Sequence, residues 1–192
     1  MSLILLQIIV FLLEVLTTLV GGACLLRMYM RWTGVPFNHP LVRFVHALSD
    51  WLVVPLQKVI PLRGRVDAAS LLAAWGLKLV HYALLLVLMG AGHWAALPVV
   101  ALLGVAKLAV SAATALVIVA AVLSWTQSRS PLLDMVQRLC GPLLAPVRKL
   151  VPLVGGVDLS PVIVVVAMQV LSMLMSAAQD GLLAAGRLPP ML

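Results

Sequence analysis

The chain has 192 residues, 64% of them hydrophobic and 10% charged, with a formal charge of +7; its mean hydropathy is +1.17. Soluble domains carry roughly 25% charged residues, so this composition excludes one and indicates an integral membrane protein. The basic excess comes without a long Lys/Arg run or a basic patch interleaved with aromatics, which argues against a nucleic-acid partner and for basic loops on one side of a bilayer.

Leu3–Leu26 reads as the first spanning helix, long enough for an apolar core of about 30 Å. Arg27 and Arg31 are expected to end it, with Trp32 as an interfacial anchor. Gly34–Pro40 is a turn, and residues 40–52 form an amphipathic helix. Arg43, His46 and Asp50 share its polar face, His46 and Asp50 at a spacing suited to a surface hydrogen bond. This helix is too short and polar to span, so it is expected on the membrane surface or against the bundle. Residues 55–67 lead into the second spanning helix, about 69–89. Gly90–Leu97 is a turn without Lys or Arg. A third span follows at about 98–123, closed by Trp125. Ser130-Pro131 opens a second amphipathic helix, about 130–141, with Asp134 and Arg138 placed for an i,i+4 ion pair. Pro142–Pro161 carries four prolines and Gly155-Gly156, so it reads as short kinked pieces. The fourth span is about 159–178, and Asp180–Leu192 reads as a frayed tail. Asp67 is expected to cap the second span, and Asp158 or Ser160 the fourth.

The chain repeats itself. At an offset of 91, Pro40 matches Pro131, Pro55 matches Pro146, Lys58 matches Lys149, and Val66-Asp67 matches Val157-Asp158. Trp32-Thr33 matches Trp125-Thr126 at an offset of 93. Too many non-apolar positions agree for composition alone, so the chain reads as two tandem copies, 1–92 and 93–192. The two long connections hold ten of the thirteen Lys and Arg residues. The positive-inside rule then places both connections in the cytoplasm and both termini outside the inner membrane, making the copies parallel.

Motifs of catalysis are missing from the sequence: it has no H-E-x-x-H, P-loop, G-x-S-x-G or paired carboxylates, and no C-x-x-C joins Cys24 or Cys140. The expectation is a protein that is not an enzyme and takes no cofactor or metal. The informative residues are polar ones inside the spans: Glu14, Lys78 with His81 one turn on, Lys107 and Gln169. Each span places one near its middle, where a charge costs about 3 kcal/mol on insertion scales. They read either as structural glue, with Glu14 bridging Lys78 or Lys107, or as a midplane ion or proton pathway. Arg27, Arg31, Lys58, Arg63, Arg65, Arg148 and Lys149 read as topology determinants that touch anionic lipid. Gly21-Gly22-Ala23 and Ala112-Ala113 would allow close helix contacts, within the chain or with a second copy.

Residues 142–161 (P-L-L-A-P-V-R-K-L-V-P-L-V-G-G-V-D-L-S-P), with S-W…S-P-L at 124–132 before them, resemble the YggT family of small bacterial membrane proteins, which has plastid relatives. A weaker copy, N-H-P-L-V-R-F…D-W-L-V-V-P-L-Q-K-V-I-P, stands at 38–61. There Asp50-Trp51 replaces the family's usual Asp-Pro, and Ala69-Ser70 its Ser-Pro. The resemblance implies a role in osmotic or envelope stress tolerance, ion homeostasis, cell division or membrane-complex biogenesis, and supplies no catalytic residues. The expected fold is an all-α membrane bundle of four spans in two repeats. The expected function is a non-enzymatic inner-membrane protein supporting envelope or osmotic stress tolerance, or complex assembly with a membrane-protein partner. The alternative is a small ion transporter or channel.

Overall fold

The structure is a computed structural model and describes residues 3–35, 40–59, 67–89, 94–125, 131–149 and 158–185. The described residues form six α-helices and no strand: α1 (Leu3–Thr33), α2 (Pro40–Val59), α3 (Ala68–Met89), α4 (Leu97–Trp125), α5 (Pro131–Arg148) and α6 (Ser160–Ala185), with a 3-10 turn at Trp94–Ala96. Four segments are long and apolar enough to cross a bilayer: Ile4–Thr33, Ala68–Leu88, Trp94–Ser124 and Ser160–Leu182. The chain is a multi-pass membrane protein. Pro36, His39, Arg63, Arg65, His93, Ser130, Gly155 and Gly156 lie outside the described residues.

α1, α2 and α3 pack on one another, as do α4, α5 and α6, and the halves meet through α3 with α4 and through α1 with α4 and α5. Three apolar clusters hold these contacts. Val20, Cys24, Val53, Ala73 and Val105 join α1 to α4 through α2 and α3. Met30, Val42, Val45, Met135 and Leu139 join α1 and α2 to α5. Val117, Val136, Cys140 and Val164 join the last three helices. In a bilayer lipid tails are as apolar as leucine, so close packing rather than water exclusion holds helices together, and small residues at the seams favour it. Gly104 is such a seam. A Cβ there would stand 2.7 Å from Cε2 of the Tyr82 ring. Gly104→Ala is expected to cost about 1–3 kcal/mol by forcing that ring aside. Gly21→Ala should cost less, because the atom it meets at 2.8 Å is the tip of the flexible Leu108 side chain. Thermal unfolding of both variants in detergent checks the order. Ala112 and Ala113 line an apolar cavity of about 220 Å³, together with Leu25, Tyr29 and Leu143.

Several boundaries differ from the sequence reading. α1 does not end at Arg27 or Arg31. It runs to Thr33 and is closed by Gly34, whose φ is 70°. The Gly34 N–H donates to Arg31 O at 3.2 Å and the Val35 N–H to Met30 O at 3.1 Å, so the left-handed glycine takes up the last carbonyls. α2 continues past residue 52 through Pro55, and α5 past residue 141 through Pro142 and Pro146. The short kinked pieces expected from residue 142 are therefore helix as far as Arg148. All three prolines are exposed. Pro142 and Pro146 are four residues apart on one face, so the carbonyls they free point outward, where water or headgroups can meet them. α6 continues to Ala185, so the expected tail begins as helix. Its end is held by Gln179, whose Nε2 donates to Tyr82 Oη at 3.0 Å and to Val100 O at 3.1 Å.

Candidate functional site

The densest polar cluster lies where α1, α2 and the start of α3 meet. Arg27 on α1 is only 9% exposed and Asp67, just before α3, only 1%. Arg27 Nη1 donates to Ser49 Oγ at 3.3 Å and ion-pairs with Asp50 Oδ1, and its Nε stands 3.6 Å from Asp67 Oδ2. His46 Nδ1 lies 3.4 Å from the same Asp50 oxygen. Asp67 accepts the Ser70 N–H at 3.3 Å through Oδ1, the N-cap arrangement. Its Oδ2 accepts the Ser70 hydroxyl at 2.9 Å and Gln57 Nε2 at 3.1 Å. A buried arginine is tolerated because it faces two carboxylates, of which the buried one, Asp67, is also held by neutral donors. Arg27 thus turns inward, into the corner between the helices. Arg31, Lys58 and Lys149 are half-buried or exposed and join none of the ion pairs among the described residues.

A second carboxylate stands at the start of α6. Arg148 Nε donates to Asp158 Oδ2 at 2.9 Å, and the Ser160 N–H donates to Asp158 Oδ1 at 2.9 Å. Gln57 to Asp67 and Arg148 to Asp158 are both ten-residue spacings, and the offset of 91 superposes them. Ser160 does not cap α6: it is the first helical residue, and its buried hydroxyl has no hydrogen-bond partner among the described residues. Asp134 and Arg138 are exposed on α5 and form no ion pair among the described residues. In a fully solvated i,i+4 pair the attraction barely exceeds the entropy of holding two side chains.

Desolvation raises the Asp158 carboxyl, but hydrogen bonding from Ser160 and the Arg148 guanidinium outweigh it and hold the group below its ordinary value of 3.8. With the folded value lowered, the stabilisation is present above the ordinary carboxylate range and is lost as pH falls through the folded value. Unfolding midpoints followed from neutral pH down through that range should fall in the native chain, while Asp158→Asn should flatten this part of the dependence.

The mid-span polar residues divide by burial. Lys78 is 7% and His81 5% exposed. Thr17 donates its hydroxyl to Leu13 O at 2.8 Å, which leaves His81 Nδ1–H to donate to Thr17 Oγ1 at 3.4 Å. Glu14 and Lys107 both act electrostatically on Lys78, and Glu14 also on His81. Yet Glu14 is exposed, and among the described residues no ion pair within 4.0 Å includes it. Gln169 is exposed on α6 and makes no hydrogen bond with another described residue. The α6 amide that does reach the bundle is Gln179, one residue beyond the end expected for the fourth span. Among the described residues no three His, Cys, Asp or Glu side chains gather to hold a metal.

The sequence reading missed the pairing of Arg27 with Asp50 and Asp67. The available signal was the ten-residue spacing shared by Gln57–Asp67 and Arg148–Asp158. It shows that position 57 lacks the cation that position 148 supplies, so that another helix must provide it.

The CCB3/YggT family model matches the chain twice, over residues 6–88 and 99–179. The uncharacterized protein YggT of Escherichia coli K12 is 34% identical over 167 residues, covering 85% of this chain and 86% of its own length. An uncharacterized protein of Pseudomonas aeruginosa is 33% identical over 170 residues, covering 86% of each chain. One from Vibrio alginolyticus is 28% identical over 169 residues, covering 86% of this chain and 91% of its own. No solved structure matches. Each family match begins in the first span of a half, runs through its polar helix-start carboxylate and ends in or just past the second span, so the chain belongs to the CCB3/YggT family.

Proposed function

We propose that the protein is a non-enzymatic assembly factor of the inner membrane that supports envelope and osmotic stress tolerance by binding another membrane protein through α1. It is built as two parallel copies, 1–92 and 93–192, each with a span, an amphipathic helix, a proline-rich connection and a second span. Both connections face the cytoplasm and both termini the periplasm. One observation carries the reading. Glu14 sits mid-span on a stretch of α1 whose neighbours Phe11, Leu12, Val15 and Leu16 are 63%, 58%, 39% and 60% exposed. A carboxylate facing lipid costs about 3 kcal/mol on insertion scales, and a polar partner helix removes that cost.

A photoreactive amino acid at Phe11 should give a discrete adduct in irradiated membranes, and Glu14→Leu should abolish it and impair growth after osmotic upshift. Absence of an adduct, with Glu14→Leu growing normally, rejects the reading. The orientation has its own check: Lys58→Cys and Lys149→Cys should react only with a permeant thiol reagent. Native Cys24 and Cys140 are buried, and burial pushes the Cys140 thiol up to about 11, so they do not compete.

The buried Lys78–His81 pair beside Glu14 favours a second reading, ion or proton movement at the midplane. Neither the apolar cavity at Ala112 and Ala113 nor the one at Arg27 and Asp67 has Glu14, Lys78 or Lys107 among its described lining residues. Proteoliposome flux that falls in Lys78→Met while the protein stays folded would favour transport over assembly.

A further inference from the structure

Between α1, α2 and the start of α3 lies a cavity of about 160 Å³, lined by Arg27, Arg31, His46, Gln57 and Asp67 among others. One water needs only about 10–15 Å³ of such space. The described lining holds two guanidinium groups and one carboxylate. Both Asp67 oxygens are taken by Ser70 and Gln57. Arg27 spends Nη1 on Ser49 and Asp50 and directs Nε at Asp67, so Nη2 takes no part in these contacts. Arg31, one turn further along α1, joins none of the ion pairs among the described residues. Among the described lining residues the two guanidinium cations outnumber the single carboxylate, whose oxygens are already engaged.

A second observation separates this arrangement from packing. At the offsets of 93 and 91, Arg27, Arg31 and His46 correspond to Ala120, Ser124 and Gln137. Ala120 is 5% exposed and packs with Val117, Val136 and Val164. The second half closes the same corner with an alanine, so a buried arginine is not a requirement of the packing. Trp32, next in the chain to the lining residue Arg31, is 52% exposed, as an aromatic anchor at headgroup depth would be.

We propose that this cavity binds a phosphate group, with the Arg31 guanidinium and Arg27 Nη2 donating to its oxygens and His46 and Gln57 bordering it. Planar guanidinium forks suit phosphate oxygens. The same chemistry is offered by the headgroup of an anionic lipid and by free inorganic phosphate.

The test uses the full chain in nanodiscs. One arm has phosphatidylcholine alone, titrated with inorganic phosphate. The other has phosphatidylglycerol added in steps. Binding is read from tryptophan fluorescence and from the shift in Tm. Arg31→Gln is the variant of choice, because Arg31 joins none of the ion pairs that hold the corner. Affinity should fall about tenfold or more in Arg31→Gln, the loss of one charged hydrogen bond, recover in part in Arg31→Lys, and stay unchanged in Arg148→Gln. Saturation by inorganic phosphate in the first arm identifies free phosphate, and saturation only in the second identifies a headgroup. Equal binding by the native chain and Arg31→Gln in both arms, or an equal loss in Arg148→Gln, overturns the proposal.

Discussion

Replacing Arg27 by alanine should destabilise the folded protein by about 3–5 kcal/mol, the usual cost of breaking a buried ion pair from one side. The substitution leaves Asp67, 1% exposed, without its cation, while Gln57 and Ser70 still hold it in place. Asp50 is 46% exposed and can rehydrate, so most of the loss belongs to Asp67. Two companions distinguish this account from mere loss of packing. Arg27→Met keeps most of the side-chain volume and should be nearly as harmful as alanine. Adding Asp67→Asn to Arg27→Met removes the stranded charge and should recover much of the loss, because a buried pair replaced on both sides is often near neutral. Unfolding in mixed detergent micelles, followed by tryptophan fluorescence, gives the comparison. If the double variant were as unstable as the sum of its parts, charge pairing would not be what holds this corner.

Leu139→Ala is expected to cost about 2–5 kcal/mol. Leu139 on α5 is fully buried at 0% exposure, against residues of α1 and α2 that include Met30, Val42 and Val45. It is thus the point where a helix of the second half enters the core of the first. The neighbouring main chain is held, because the Tyr29 hydroxyl donates to the Leu139 carbonyl at 2.6 Å. A held backbone cannot collapse far onto the cavity, which puts the cost toward the upper end of the range. Tyr29→Phe in the same background should lessen the added penalty by letting the backbone relax. The same unfolding measurement reads it. A Leu139→Ala cost below that of Gly104→Ala would mean that the seam of α3 with α4 holds the two halves together more firmly than α5 does.

The four spans were legible in the sequence because an apolar run of bilayer length is a local property. So were the turns of text at 55–67 and 146–158 that recur at one offset. The boundaries were less so. Proline was read as a helix breaker at 142 and 146, but its effect depends on whether the freed carbonyls face outward, which only the packed helix settles. Arginine was read as a helix end at 27, but a basic side chain stops nothing by itself; the left-handed Gly34 does. Likewise Gln179 fell between the span read to residue 178 and the tail read from residue 180, and its burial depends on Tyr82 and Val100, far away in the chain.

From residues alone follow the membrane class, the number of spans and the carboxylates at 67 and 158, because length, hydropathy and spacing are written along one dimension. Which cation meets each carboxylate was decided in three dimensions. Asp158 takes Arg148 from ten residues before it, whereas Asp67 finds glutamine at that spacing and takes Arg27 from a different helix. A buried charge is satisfied by whatever donor the fold brings within reach, and distance along the chain does not enter that condition.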